Sequence, residues 1–489
     1  MKESINLQIH PNPSIKQLLG LVFFLYSGAL PLQAAYIYGR FSHLTTDAKI
    51  ELWVPHYYLD GKNSTYPATL NPDGQFSIEA KVPEPQLAFL IHGDDRLAVF
   101  LAPDDTLLVQ ADAYQFPLVV VFGGKGGGNN TILAQYLRES GVDFNEFNNL
   151  RYKIGDWWAS IEEPTGKRME EIGAADWRAE MDKRRLSATV LTERFAAENP
   201  GALTPVFQRW MEAEILYAWA YDLLFYGHMY GGRHFVQADF FDFLDEAPII
   251  STEIGNGRYR DFVFLWLARA QVRGGTQENF WVGMYRRAGE LLADKSLAYT
   301  RAEIIEQGFQ AEVYKELLPI YNDYLKNNTH VAFDPKVVDL YAKLAPVMPG
   351  TPAPEFGASD IGGNGVALSN FRGKVVYLNF WASWCGSCIR KMEILEQYSS
   401  EFERNNIAVV HVSIDQNPER WRERVALDGF RGTHLLASDG QGKNLATLFG
   451  VEAVPQYFLL DKSGKFADKS GAAQPEQIRE RLLKLASEK

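Results

Sequence analysis

Val375-Val376-Tyr377-Leu378-Asn379-Phe380-Trp381-Ala382-Ser383-Trp384-Cys385-Gly386-Ser387-Cys388 is the stretch on which the fold turns. Its first half is a nearly unbroken apolar run, the pattern of a strand buried on both faces. Its second half carries the only 2 cysteines of the 489-residue chain, separated by two residues. Thiols at that spacing, at the start of a helix, can close a small reversible disulfide. The helix N-terminal amides then favour a thiolate on the first sulfur. With no further cysteine to form a structural bridge, thiol chemistry is confined to Cys385 and Cys388. A zinc site needs four ligands and this pair supplies two, while haem attachment needs a histidine where Ile389 stands. Redox chemistry at the pair calls for no metal and no cofactor.

Around this stretch the pattern alternates between strand and helix. Ile394, Leu395, Tyr398 and Phe402 mark one face of a helix after the cysteines. Ile407 to Ile414 reads as the next strand, Trp421 to Ala426 and Asn444 to Phe449 as helices. Tyr457 to Leu460 and Gly464 to Phe466 form a hairpin around Asp461-Lys462-Ser463, and Ile478, Leu482 and Leu485 lie on a last amphipathic helix. This β-α-β-α-β-β-α order predicts a mixed sheet with helices on both faces.

Phe371 to Lys374 (Phe-Arg-Gly-Lys), Asn379 to Cys385, Val412 to Asp415, and Val451 to Asp461 with its embedded Pro455 occur in that order. With these motifs the last domain, residues 355–489, resembles the thioredoxin superfamily, and within it the extracytoplasmic TlpA/ResA-like thiol–disulfide oxidoreductases. The resemblance implies an exposed attacking thiolate at Cys385, a resolving Cys388, a cis Pro455 that presents the Val454 backbone to a substrate strand, and a shielding Trp384. It implies protein disulfides or dithiols as substrates, a reductive direction and a membrane donor of electrons. Three departures stand out. Gly386-Ser387 replaces the family's frequent x-Pro, Lys391 stands where many relatives carry Glu, and Glu393 replaces a proline. Asn379 sits where classical thioredoxins place a buried acid and His411 where they place a buried lysine. The His411 ring is then either a proton relay or a packed core histidine, and Lys391 either a thiolate-stabilising cation or a solvated one.

Upstream, residues 345–354 hold four prolines and read as a linker. From 131 to 344 the periodicity is helical: Phe207, Met211, Ile215, Ala218 and Trp219 share a face, and the stripe Trp210, Tyr217, Trp219, Tyr221 and Tyr226 reads as core packing. Gly123 to Asn130 fails the phosphate-loop pattern and is expected to be a flexible linker. Residues 36–125 show short alternating strands, with a hairpin around Pro103-Asp104-Asp105, and predict an antiparallel β-sandwich-like domain. The expected architecture is thus multidomain: a β-sandwich-like domain, an all-α middle and a C-terminal α/β thioredoxin fold. Through Phe122-Gly123-Gly124-Lys125-Gly126 and the helix from Glu212 to Phe225, these outer parts resemble the long Bacteroidetes members of the same group.

Lys16, the apolar run Leu18 to Leu25 and the small residues around Ala34 predict a secretory signal peptide over residues 1–34, hence a periplasmic protein. A net charge of -12 argues against nucleic acid as a partner. Residues 36–344 contain no recognisable catalytic constellation. They suit partner capture or oligomerisation, which keeps a partner-binding scaffold, or a disulfide isomerase or chaperone, as alternative functions.

Overall fold

The computed structural model describes residues 33–43, 49–55, 63–139, 171–230, 238–273, 278–311, 313–437, 445–470 and 474–488. The expected signal peptide lies outside them up to residue 32, and Ala34, the expected cleavage point, is a buried residue that opens the first strand. The chain divides into two compact units, one of Met1–Thr276 with Arg287–Thr300, the other of Gln277–Arg286 with Arg301–Lys489.

The first unit begins with eight strands: β1 (Ala34–Ser42), β2 (Lys49–Pro55), β3 (Asn63–Thr69), β4 (Gln75–Lys81), β5 (Gln86–His92), β6 (Asp95–Leu101), β7 (Thr106–Asp112) and β8 (Val120–Lys125). They form two sheets, β4-β1-β7-β8 and β3-β2-β5-β6. Alternation on β4 buries Phe76, Ile78 and Ala80, which join Leu52, Leu90, Leu97 and Val109 in a core between the sheets. Two expectations need correction. The sandwich is not purely antiparallel, because β1 and β7 run parallel. The segment around Pro103-Asp104-Asp105 is not a hairpin turn, because β6 and β7 belong to different sheets and the turn carries the chain across the sandwich.

Helices α1 (Gly127–Glu139), α2 (Ala174–Glu198), α3 (Pro205–Met229) and α4 (Gly257–Arg273) follow. The glycine run is no linker. Gly123 and Gly124 belong to β8, Gly126 turns the chain at φ 91°, and Gly127 starts α1. Asn130 then exchanges hydrogen bonds with the backbone of Phe100, accepting from its N–H at 2.7 Å and donating to its carbonyl at 2.9 Å. Asn129 accepts from Thr204 N at 3.0 Å and donates to its Oγ1 at 3.1 Å, and Thr204 caps α3. A periodicity reading sees glycines here, but the two buried asparagines supply the order.

The sandwich and the helices are not independent domains. The outer face of the β2–β5–β6 layer gives Leu87, Phe89, Ala98 and Phe100 to a core shared with Ile132, Leu133, Phe207, Trp210 and Met211. Phe207 is fully buried, its ring 5.1 Å from that of Phe100 and 5.9 Å from that of Trp210. Phe207→Ala is expected to destabilise this unit by about 3–5 kcal/mol. Native-state hydrogen exchange should show β5, β6 and α3 losing protection together, and a loss confined to α3 would contradict the shared core. The aromatic stripe Trp210, Tyr217, Trp219, Tyr221 and Tyr226 is buried throughout.

Helices α5 (Phe280–Leu291) and α6 (Asp294–Gln310) each contribute to both units, and α7 (Tyr314–Asn327) and α8 (Asp334–Leu344) belong to the second. The second unit continues with the short hairpin β9 (Gly357–Ser359) and β10 (Gly365–Ala367), then β11 (Val375–Trp381), α9 (Gly386–Glu396), α10 (Ser399–Arg404), β12 (Ile407–Ser413), α11 (Pro418–Asp428), β13 (Thr433–Leu436), α12 (Leu445–Leu448), β14 (Gln456–Leu460), β15 (Phe466–Ser470) and α13 (Pro475–Ser487). The sheet order is β13-β12-β11-β14-β15, with β11, β12 and β13 parallel and β14 and β15 antiparallel to their neighbours. This is the thioredoxin arrangement. Val376, Leu378 and Phe380 pack on one side with Val412, Phe449 and Phe458. Val375 and Tyr377 pack on the other, with Phe402, Ile478 and Leu482. Every residue of β11 is buried, as its sequence requires.

The proline-rich segment 345–354 is not a free linker. Val347, Met348 and Ala353 are buried, and Val347 and Ala353 join the core with Phe466. Gly350 N donates to Phe466 O at 2.7 Å, Phe466 N to Thr351 O at 2.9 Å and Ala353 N to Gly464 O at 3.0 Å. Ala345–Val347 form a single tight turn after α8, and beyond it the residues between the prolines supply the N–H donors that prolines lack. The single helix expected after the cysteines is broken into α9 and α10 at Gln397-Tyr398.

Candidate active site

β11, the central strand, ends at Trp381, and a turn closed by Cys385 N donating to Ala382 O at 3.0 Å leads into α9. Cys385 is the N-cap of that helix, with extended backbone and a sulfur that accepts the Cys388 N–H at 3.2 Å. Its carbonyl accepts from Ile389 N at 3.1 Å. The first turn of α9 contains no acidic residue. The orphan amides of the helix start thus face the sulfur without an opposing carboxylate on the same turn. Cys385 and Cys388 are joined by a disulfide, their Cα atoms 5.3 Å apart.

The expected exposure of Cys385 needs correction. In the disulfide form it is 6% exposed, and Cys388 is 1% exposed. Both belong to an apolar cluster with Trp381, Ala382, Met392, Trp421 and Val425. Its sequence neighbours Trp384, Gly386 and Ser387 are all exposed. Trp384, expected to shield the pair, stands 68% exposed at the rim, and the wall is built by Trp381 and Trp421.

Val454-Pro455 is a cis peptide. Val454 is half-buried and packs against the cysteine cluster, and Gln456 begins β14 directly after the proline. The sequence elements around 385 and 454 are therefore brought together although 65 residues lie between Cys388 and Val454.

Asn379 and His411 meet as neighbours across β11 and β12, with Asn379 Nδ2 3.1 Å from His411 Nδ1. His411 in turn stacks on His434 of β13, ring centroids 4.9 Å apart, and His434 Nε2 donates to Phe430 O at 2.8 Å. This polar layer shares the sheet face of Tyr377 below and Trp381 above. Burial, aided by repulsion from His434, pushes the His411 imidazole down to about 3. Burial also lowers His434, while its bond to Phe430 and the Glu396 carboxylate pull the other way. A ring with so low a pKa stays neutral at working pH and donates no titrating proton. Of the two readings of His411, the packed histidine is the one this geometry supports. Lys391 is partly buried on α9, and that burial lowers its pKa.

Sequence reasoning passed over Trp421 as a wall residue and Asp415 as a partner of Ser383. The sequence reads a helix over Trp421 to Ala426; α11 in fact starts at Pro418, where Asn417 Oδ1 accepts from Glu419 N at 2.9 Å, and the periodicity cannot announce that Trp421 packs with the cysteines.

A family model described as Redoxin matches residues 348–481. The thiol–disulfide oxidoreductase ResA of Geobacillus thermodenitrificans is 32% identical over 130 residues, which cover 26% of this chain and 71% of that protein. ResA of Bacillus thuringiensis subsp. konkukian is 30% identical over 141 residues, covering 28% of this chain and 78% of that protein. Among solved structures, a putative thiol:disulfide interchange protein DsbE from Chlorobium tepidum is 30% identical, covers 28% of this chain and 98% of that one, and has a TM-score of 0.27. A redox pair seated at a helix start, a thioredoxin sheet beneath it and this degree of identity to ResA agree: the chain is a thiol–disulfide oxidoreductase and belongs to the TlpA/ResA-like family of the thioredoxin superfamily.

Proposed function

We propose that this oxidoreductase works outside the cytoplasm and reduces disulfides of cell-envelope proteins, with Cys385 as the attacking sulfur. The observation that carries the assignment of roles is the N-cap geometry. Cys385 Sγ takes a helix N–H at 3.2 Å, whereas Cys388 lies one turn inward and deeper. In the dithiol form the Cys385 thiolate attacks one sulfur of a substrate disulfide. The S–S bond of the substrate breaks, its other sulfur leaves as a thiolate, and a mixed disulfide forms. Cys388, deprotonated, then attacks Cys385 Sγ, forming the internal disulfide and releasing the second substrate thiol. Two electrons have passed to the substrate. A membrane-bound donor of two electrons and two protons would restore the dithiol. Val454, half-buried against the cluster, offers its backbone to an extended substrate segment, and exposed Trp384 frames the same opening. Asn379 and His411 support the floor of the site as a neutral hydrogen-bonded pair. The extracytoplasmic placement rests on the segment from Lys16 to Ala35 and on the resemblance to exported relatives.

Cys388→Ser, expressed in the native envelope, is expected to accumulate mixed disulfides with envelope proteins. These should dissolve on reduction with dithiothreitol and disappear when Cys385 is also replaced. Capture of cytosolic proteins alone, or none that depends on Cys385, would refute the proposal.

A further inference from the structure

Asp415 is a buried carboxylate, 5% exposed, in the shell of the redox pair. It lies just beyond the end of β12, where Ile414 N donates to Trp381 O at 2.8 Å and extends the pairing of β11 with β12. Its oxygens accept three hydrogen bonds: from Ser383 N at 2.8 Å, from Ser383 Oγ at 2.7 Å and from Ser413 Oγ at 2.6 Å. Its own N–H donates to Ser413 Oγ at 3.0 Å. A carboxylate taken out of water is costly unless its lone pairs are met, and here they are met largely by one residue, Ser383, two positions before Cys385.

We propose that Asp415 is the positioning residue for Cys385: by gripping both the backbone and the hydroxyl of Ser383, it holds the Ala382–Cys385 turn that seats Cys385 as the N-cap of α9 once the disulfide has opened. While the disulfide is closed, the covalent bond to Cys388 already fixes Cys385 against the helix. After reduction that tether is gone. The restraints that remain on the turn are the Cys385 N to Ala382 O and Ile389 N to Cys385 O bonds, the packing of Ala382 and Cys385 against Trp381 and Trp421, the Cys385 Sγ to Ser387 Oγ contact and the grip of Asp415, and of these only Asp415 holds Ser383. Asp415 therefore does more for the dithiol form than for the disulfide form. It keeps the Cys385 sulfur on the Cys388 amide, where a thiolate is favoured. Its negative charge acts in the opposite sense, against a neighbouring thiolate, so geometry and charge have separable signatures. Charged side chains on the helices that carry the cluster include Arg390, whose Nη1 lies 3.7 Å from where a Gly386 Cβ would stand, Lys391, the Arg424–Asp428 pair of α11, and Glu396 of α9, which pairs with Arg431. His411 and His434 stand on the neighbouring strands β12 and β13.

This rests on Cys385 being the attacking sulfur, and the wild-type protein tests that first. Thiolate absorbance at 240 nm of the reduced full-length protein should show one thiol titrating below the ordinary cysteine value of about 8.5. Its absence would end the exchange reading whatever Asp415 does. Given that thiol, Asp415→Ala is expected to raise its pKa by about one unit, a tenfold fall in the thiolate-to-thiol ratio at a given pH. The same variant should shift the equilibrium with glutathione toward the disulfide by severalfold. Ser383→Ala, which removes one of the grip's bonds and serves if Asp415→Ala does not fold, should shift both quantities in the same direction by less. Asp415→Asn keeps an acceptor for the Ser383 N–H and a donor for its hydroxyl without the charge. It should restore the pKa to the wild-type value or below. Unchanged pKa and glutathione equilibrium in Asp415→Ala and Ser383→Ala, or Asp415→Asn behaving like Asp415→Ala, would overturn the proposal.

Discussion

Replacing Cys385 by alanine is expected to abolish disulfide reduction, lowering turnover of an insulin substrate by at least about a thousandfold, since no second nucleophile can form the mixed disulfide. The chain has no other cysteine that could substitute, because Cys388 is the only remaining thiol and it lies deeper, at 1% exposure. Cys388→Ser differs in kind. The first attack survives and the resolving step fails, so a single turnover stalls at the mixed disulfide. The loss in Cys385→Ala will not come from unfolding, because the bridge closes a loop of a few residues in a domain with extensive cores on both faces of its sheet. Far-ultraviolet circular dichroism should be unaltered while activity disappears. Retention of more than about a tenth of the activity would place the chemistry elsewhere, since loss of an essential nucleophile costs orders of magnitude.

Acidification should weaken the C-terminal unit strongly. In the folded protein burial pushes His411 down to about 3, whereas in the unfolded chain a histidine titrates near 6.5. Between these values the unfolded chain binds a proton that the folded one refuses. The stability tied to neutral His411 is therefore complete above about pH 6.5 and falls as the pH drops toward 3. At 1.36 kcal/mol per unit, full loss is on the order of 4–5 kcal/mol. His434, whose pKa burial also lowers, adds in the same direction. His411→Gln leaves an acceptor for the Asn379 amide and cannot titrate. Urea unfolding at pH 7, 5.5 and 4.5 should show the variant losing much less stability than the wild type across that range. Equal slopes would mean that the stacked histidines are not the acid-sensitive element.

What could be read from the sequence follows the physics of each segment. β11, β12 and the β14–β15 hairpin were legible because burial on both faces demands apolar runs, and the turn at Asp461-Lys462-Ser463 marks itself. β13 was missed: four residues beside Gly432 carry too little pattern to register, and the strand exists because β12 offers it an edge. The parallel pairing of β1 with β7 and the crossing after β6 were invisible, since alternation specifies which side of a strand is buried and not which strand lies beside it. The glycine run and the proline segment both looked like linkers by composition. Each is held by partners remote in sequence, Phe100 and Thr204 in one case, Gly464 and Phe466 in the other. At the site, the cysteines and the cis proline announced themselves through spacing and motif. Trp421 and the Asp415–Ser383 grip did not, because tertiary approach alone gives them a role.

The central claim is that Cys385 and Cys388 exchange electrons as a pair with a foreign disulfide. Its most direct test mixes the fully reduced wild-type chain with excess oxidised protein substrate, quenches with acid and measures the intact mass of the chain. A loss of two hydrogens, with one Cys385–Cys388 disulfide formed per substrate bond reduced, is expected. A chain that stays in the dithiol form while the substrate stays oxidised, or one left as a lasting mixed disulfide, would contradict it.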